Sequence, residues 1–133
     1  MNIVVIDGQG GGMGKMLVAG IKEEFPGAMI TAVGTNANAA MQMKKAGADR
    51  AASGENAVVV ACRKADIILG PVGIVVADAL LGEVTPKMAQ AVGACGAKKV
   101  LLPVNMCDTI VVGVEDLSLS TLIRAAIEEI KRG

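Results

Sequence analysis

Histidine, tyrosine and tryptophan are absent from this 133-residue sequence, and Phe25 is its only aromatic residue. Without histidine the chain cannot build a Ser-His-Asp relay or an imidazole metal site, and without tyrosine it cannot build a Tyr-Lys reductase pair. Acid–base chemistry is left to Asp, Glu, Lys and Cys side chains. We therefore expect an aliphatic core and no metal centre.

The sequence also lacks an excess of either charge, since 13 Lys and Arg residues balance 13 Asp and Glu residues. Nucleic-acid binders carry clustered basic residues, so nucleic acid is not an expected partner. The longest apolar stretch, residues 67–81, is interrupted by Gly70-Pro71, Gly73 and Asp78 and falls short of a membrane helix of ~20 residues. The opening residues lack the basic segment of a secretory signal. These features predict a cytoplasmic protein without a membrane partner.

Cysteine is scarce, and Cys62, Cys95 and Cys107 form no C-x-x-C pair. This spacing predicts reduced thiols rather than a disulfide framework or a zinc site. Apolar residues, in contrast, make up 53% of the chain, and the mean hydropathy is +0.55. Because so apolar a small domain has few polar residues to cover its surface, we expect a homo-oligomer.

Hydrophobic patterns predict one α/β domain that spans residues 1–133. Continuous apolar runs typical of buried parallel strands occupy residues 3–6, 28–33, 66–69 and 99–103. Amphipathic stripes predict helices after the glycines of residues 8–14, at Asn36, near Val58, at Thr85-Pro86 and after Ser118. Residues 74–81 fit either a strand or a helix, and helix is favoured because Ala77, Asp78 and Ala79 suit a pleated strand poorly.

These elements predict a three-layer, Rossmann-like or flavodoxin-like fold with a mainly parallel sheet. The expected order of the predicted strands is 2-1-3-4-5, with helices on both faces of the sheet. Residues 109–113 are the predicted fifth strand. Only about five residues separate them from the fourth strand, too few for a parallel crossover, so this strand is expected to run antiparallel at the sheet edge.

The strongest functional signal is a glycine-rich turn between the first strand and the first helix, with the sequence Gly8-Gln9-Gly10-Gly11-Gly12-Met13-Gly14-Lys15. The spacing of Gly8, Gly10 and Gly14 is a variant of the Rossmann fingerprint. Unpaired amides at a helix start bind phosphate, and glycines let the phosphate approach the backbone. The pattern predicts a phosphate-bearing ligand. A turn that only packs the helix on the strand is the alternative.

The end of the second strand bears on the type of nucleotide. A dinucleotide site carries an acidic residue there for the ribose of NAD, or an arginine for the extra phosphate of NADP. This chain has Thr35 and Asn36, which are candidate ligand contacts through neutral hydrogen bonds, with helix capping as the alternative. The expected cofactor is NADP or another phosphorylated nucleotide. A P-loop NTPase is not expected, because Gln9 and Met16 stand where that motif needs a glycine and a hydroxyl.

Other candidates lie where the third and fourth strands end, since ligands bind at that edge of open α/β sheets. Gly70-Pro71-Val72 is a predicted second wall of the pocket, with an ordinary strand-ending loop as the alternative. Asn105 is predicted to reach the same edge. Asp7 and Cys107 are the candidates for catalysis, although no histidine is present to activate the thiol.

Two resemblances support a Rossmann-like fold. The turn resembles the G-G-x-G-x-M-G loop of prephenate dehydrogenases, with Gln9 in place of the second glycine, which implies NAD(P) as a ligand. The whole chain resembles a family of short bacterial Rossmann-like proteins of unknown function, through its I-D-G-Q-G-G-G-M-G-K opening and its Pro103-Val104-Asn105 segment. This second resemblance implies a fold and no activity.

Three functions remain open from the sequence. The leading hypothesis is a nucleotide- or phosphate-binding module, with NAD(P) among its candidate ligands, that acts as a sensor or subunit. The second is a small oligomeric oxidoreductase or transferase with its site at a subunit interface, because 133 residues leave no room for a separate substrate domain. The third is a structural oligomeric domain without a ligand.

Overall fold

The computed structural model describes residues 1–104 and 108–133, which form five strands and five α-helices. In chain order the elements are β1 (Asn2–Asp7), α1 (Gly12–Glu24), β2 (Met29–Gly34), α2 (Ala37–Lys45), β3 (Arg50–Ser53), α3 (Glu55–Lys64), β4 (Ile67–Pro71), a 3-10 turn (Val72–Val75), α4 (Pro86–Ala94), β5 (Lys98–Leu102) and α5 (Leu119–Arg132).

A single sheet holds the five strands in the order β3-β2-β1-β4-β5, and each neighbouring pair is parallel. Helices α1, α2 and α5 cover one face, and α3 and α4 cover the other. Along β1, Ile3 and Val5 belong to the first core, whereas Val4 and Ile6 belong to the second. The predicted α/β class is confirmed, and the four strands predicted as 2-1-3-4 lie in that order as β2, β1, β4 and β5.

Three helices begin at the polar residues that the sequence indicates. The side chains of Asn36, Thr85 and Ser118 each accept a hydrogen bond from the amide three residues further on, at 2.8, 3.2 and 3.3 Å respectively. These bonds satisfy amides that have no partner within the helix. The predicted starts of α2, α4 and α5 are therefore confirmed.

The fifth strand of the sheet is not the predicted one. Residues 109–113 form an exposed segment without strand structure, so the antiparallel edge strand predicted there is wrong. The fifth strand is β3, which lies parallel to β2 although its Arg-Ala-Ala-Ser sequence has a low strand preference. Asp49, just before β3, accepts hydrogen bonds from the Ile30 amide at 2.8 Å and the Lys22 ammonium at 2.9 Å. Long-range contacts, rather than local preference, hold this strand in place.

The helix predicted for residues 74–81 is also wrong. Only Val72–Val75 form a short 3-10 turn, and the residues that follow make a closed loop. Asp78, Leu80 and Leu81 have φ angles of 66°, 56° and 56°, which lie in the left-handed region and cannot continue an α-helix. The loop buries Leu80 and exposes Leu81.

Neither a membrane-spanning helix nor a cluster of metal-ligating side chains is found among residues 1–104 and 108–133. No helix there combines the length and the apolar content that crossing a bilayer demands. No group of three or more cysteine, aspartate and glutamate side chains is placed to hold a metal ion.

Candidate functional site

Asp7, the last residue of β1, anchors the glycine-rich loop. Its side chain is buried, and its two oxygens accept hydrogen bonds from the Gly8 amide at 2.8 Å and the Gly14 amide at 2.7 Å. Gly14 lies in the first turn of α1, and the residue before that helix, Gly11, has no side chain with which to cap it. The aspartate therefore caps α1 from the preceding strand.

Packing within the chain explains three of the loop glycines, all of them buried. A Cβ on Gly8 would lie 2.5 Å from the Thr35 hydroxyl oxygen, and a Cβ on Gly14 would lie 2.8 Å from the Cβ of Asp7. Gly11 has a φ of 72°, a conformation that side chains of L-residues rarely adopt. These positions would need glycine with or without a ligand.

Packing within the chain does not explain Gly10 and Gly12. Both are exposed, a Cβ on either would meet no atom within 4 Å, and neither has a positive φ. The amides of Gly10, Gly12 and Met13 donate to no acceptor within residues 1–104 and 108–133. A ligand that approaches the backbone closely would require both the bare glycines and the free amides.

Gly10, Gly12 and Met13 line a cleft of about 470 Å³ beside the loop. Met16, Val104 and Leu119 add apolar lining, and the exposed Lys15 adds a positive charge. Leu119 is the first residue of α5, so the first turns of α1 and α5 line the same cleft. The positive ends of helix dipoles favour an anion. The sequence alone does not single out Val104 or Leu119 as cleft residues.

The opposite side of the loop, toward β2, is occupied by the carboxylate of Glu83. Its Oε1 atom accepts hydrogen bonds from the Gln9 amide at 2.8 Å, the Thr35 hydroxyl at 2.7 Å and the Asn36 side-chain amide at 2.9 Å. The structure thus brings the predicted residues Thr35 and Asn36 to the glycine-rich loop, where they bind Glu83. Sequence reasoning missed this glutamate because 74 residues separate it from Gln9.

The pKa values of the two carboxyl groups at the loop, Asp7 and Glu83, are shifted in opposite directions. Burial raises the pKa of Asp7 despite its hydrogen bonds from Gly14 and Gly8, and the negative charge of Glu83 raises it further. For Glu83 partial burial acts in the same upward direction. The hydrogen bonds from Gln9, Thr35 and Asn36 outweigh it, so the pKa of Glu83 is lowered. Glu83 is therefore negatively charged at neutral pH.

A family model described as "Domain of unknown function (DUF3842)" matches residues 2–133. The chain belongs to this family. No curated protein sequence matches it. Among solved structures, the chain is similar to a dodecameric FMN-dependent UbiX-like decarboxylase from Escherichia coli O157:H7, with 20% identity, a TM-score of 0.49, and coverage of 99% of this chain and 75% of that chain. The resemblance to a family of unknown function is confirmed.

In this DUF3842 chain, three further predicted site residues, Gly70, Pro71 and Val72, do not line the cleft. Gly70-Pro71 ends β4, and a Cβ on that glycine would collide with the carbonyl oxygen of Ile6. Val72 lines a separate hollow of about 300 Å³ beside the loop that follows the 3-10 turn. Asn105 and Cys107 lie outside the described residues. Their roles stay predictions from the sequence.

Proposed function

We propose that this chain binds a phosphorylated nucleotide, or another phosphate-bearing small molecule, in the cleft of the glycine-rich loop, and acts as a sensor or subunit. The observation that carries the proposal is the set of amides of Gly10, Gly12 and Met13, which line the cleft and have no acceptor among the described residues. Amides at the start of a helix point toward a bound phosphate and act together with the helix dipole.

Charge and space at the loop support the same ligand. Lys15 lines the cleft and can neutralise part of a phosphate's charge. Gly10 and Gly12 leave the backbone accessible, so phosphate oxygens can come within hydrogen-bonding distance of it. Asp7 does not compete for the free amides, because its oxygens accept from Gly8 and Gly14 instead.

The loop itself does not select one nucleotide, because its amides would contact phosphate oxygens only. NADP and other phosphorylated nucleotides, which the sequence leaves open, are all candidates at this level. The enzyme alternative depends on Asp7 and Cys107. Since both oxygens of Asp7 already accept backbone hydrogen bonds, its geometry favours capping over proton transfer, and the proposed function includes no reaction.

We also propose that the chain forms a homo-oligomer through an apolar patch made of Leu81, Ile110 and Val112. These side chains are 94%, 85% and 94% exposed. Leu81 lines the same hollow as Thr109, the neighbour of Ile110 in sequence, so the two segments approach each other there. Burying such side chains against a second copy removes apolar surface from water.

Thermal unfolding with and without NAD, NADP, FMN, ATP and inorganic phosphate tests ligand binding. A ligand present at 100 times its dissociation constant stabilises the fold by about 2.7 kcal/mol. Gly10→Asp should abolish this stabilisation, because its carboxylate would face the bound phosphate.

Gly27→Asp is the matched control. It adds the same charge at an exposed turn beyond the other end of α1, where a Cβ also meets no atom within 4 Å, and it should leave the stabilisation intact. The proposal fails if no phosphate compound stabilises the wild-type chain, or if the stabilisation survives Gly10→Asp.

A further inference from the structure

A hollow of about 240 Å³, which we call the α3 hollow, lies between α3 and the strands β1, β2 and β3. Val4, Thr31 and Arg50 are register partners on these strands, so their side chains point to one face of the sheet and line the hollow together. Helix α3 supplies the other wall through Ala57, Val60, Ala61 and Lys64. The cleft at the glycine-rich loop shares no lining residue with the α3 hollow, which is therefore a separate cavity.

Most of the lining of the α3 hollow is apolar. Val4 and Val33 lie buried at the sheet, whereas Ala52 on β3 is exposed and Val60 on α3 is 44% exposed. Short alanine side chains on both β3 and α3 leave the space between helix and sheet unfilled. An apolar group that enters this space would remove the exposed surface from water, which is favourable.

Two positive charges lie at the same hollow without a counter-ion. The Nε atom of Arg50 donates a hydrogen bond of 2.9 Å to the hydroxyl of Thr31, which also lines the hollow, so the guanidinium is held beside it. Lys64, in the last turn of α3, is the second cation. Neither side chain pairs with a carboxylate in the part of the chain that the structure describes. The terminal nitrogens of the guanidinium can therefore donate to an anion, and their planar arrangement fits a carboxylate.

We infer that the α3 hollow binds a small carboxylate with an apolar body, with the carboxylate at Arg50 and Lys64 and the body against Val33 and Val60. Water occupies roughly 30 Å³ per molecule, so the hollow holds about eight groups of that size, which matches a carboxylate such as hexanoate. An apolar amine would meet two positive charges in the same place. A free inorganic anion would leave the apolar lining in contact with water.

Nuclear magnetic resonance titration of the isotope-labelled whole chain with hexanoate, hexanol and hexylamine tests the inference. Hexanoate should shift the backbone amide signals of Ala52, Ala57 and Ala61 until they saturate, because these residues line the hollow. It should bind at least about fivefold more tightly than hexanol or hexylamine, since hexanoate alone offers the two cations a negative charge.

Arg50→Gln removes the guanidinium and should weaken hexanoate binding by about fivefold or more, while hexanol affinity changes by less than about twofold. Arg63→Gln is the matched control. It removes the same charge from an exposed position on α3 that does not line the hollow, so hexanoate affinity should stay within about twofold of wild type. If circular dichroism shows that Arg50→Gln does not fold, Lys64→Gln at the exposed end of α3 replaces it and should also weaken hexanoate binding.

The inference is overturned if hexanoate shifts no signal of the lining residues, or if hexanol or hexylamine binds as tightly as hexanoate. A folded Arg50→Gln variant that keeps wild-type affinity overturns it as well. Signals of Ala52, Ala57 and Ala61 that move with chain concentration and not with hexanoate would show that a second copy covers the hollow instead. Because the two cavities share no lining residue, each of these results leaves the proposed function unchanged.

Discussion

The amide of Gly14 donates a hydrogen bond of 2.7 Å to the carboxylate of Asp7, seven residues earlier in the chain. The bond joins the last residue of β1 to the first turn of α1 and closes the glycine-rich loop from the inside. The loop amides therefore differ in their partners. Those of Gly8 and Gly14 bind Asp7, whereas Gly10, Gly12 and Met13, whose amides have no acceptor among the described residues, line the cleft.

Alanine substitutions at Gly14 and Gly12 should distinguish a glycine that packing within the chain requires from one that it does not. The added methyl group at Gly14 would lie 2.6 Å from the sulfur of the buried Met43 and 2.8 Å from the Cβ of Asp7, which is fixed to the strand β1, so we expect the free energy of unfolding to fall by about 1–3 kcal/mol. Gly12→Ala meets no atom within 4 Å and should change it by less than about 0.5 kcal/mol. Urea unfolding measures both. Equal losses in the two variants would contradict the distinction.

The Asp49 carboxylate should make stability depend on acid pH. The pKa of Asp49 is lowered by the hydrogen bond from the Ile30 amide and by Lys22, so its stabilisation is present above its ordinary value of 3.8 and is lost as the pH falls below it. Asp49→Asn should be less stable than wild type at pH 7, and this difference should shrink toward pH 3. The effect should be modest and smaller in high salt, because the pair is partly exposed.

Urea unfolding at pH 7 and pH 3 measures this dependence. Asp116→Asn, at an exposed position in the segment before α5, is the control and should match the wild-type chain at both pH values. A difference between wild type and Asp49→Asn that stays constant with pH would show that the charge of Asp49 contributes nothing.

Cys62 should resist alkylation in the folded chain. Burial in α3, with a smaller contribution from the neighbouring Cys95, raises the pKa of the Cys62 thiol to about 11. At pH 8 roughly one thiol in a thousand is then the reactive thiolate. Peptide mapping after iodoacetamide treatment should show Cys95, which is less buried, modified first. The difference should vanish in urea, and a Cys62 that reacts as fast as Cys95 in the folded chain would contradict the assignment.

Leu81→Asn should weaken self-association without harming the fold. Leu81 is 94% exposed and has a φ of 56°, a conformation that asparagine tolerates better than leucine. Sedimentation velocity over a range of concentrations should show smaller assemblies for this variant. Met41→Gln, at an exposed apolar position on α2 outside the patch, should assemble like wild type. If Leu81→Asn assembles like the wild-type chain, the patch is not the interface.

The elements that sequence reasoning predicts correctly have signals within a few residues. The apolar run of β1, the glycines after it and the caps at Asn36, Thr85 and Ser118 all act over less than one helical turn. The errors arise where distant contacts override local preference. β3 has a weak strand sequence and forms against β2, whereas residues 109–113 have a strong strand sequence and form no strand.

The amino-acid sequence by itself determined that a buried strand leads through bare glycines into a helix, because hydrophobic spacing and capping are local properties of the chain. Only the tertiary structure decided which amides of that loop stay free. Asp7 binds those of Gly8 and Gly14, and Glu83 arrives from 74 residues away to occupy the side toward β2. Contacts over such separations depend on how the strands order themselves in the sheet, and no local pattern records that order.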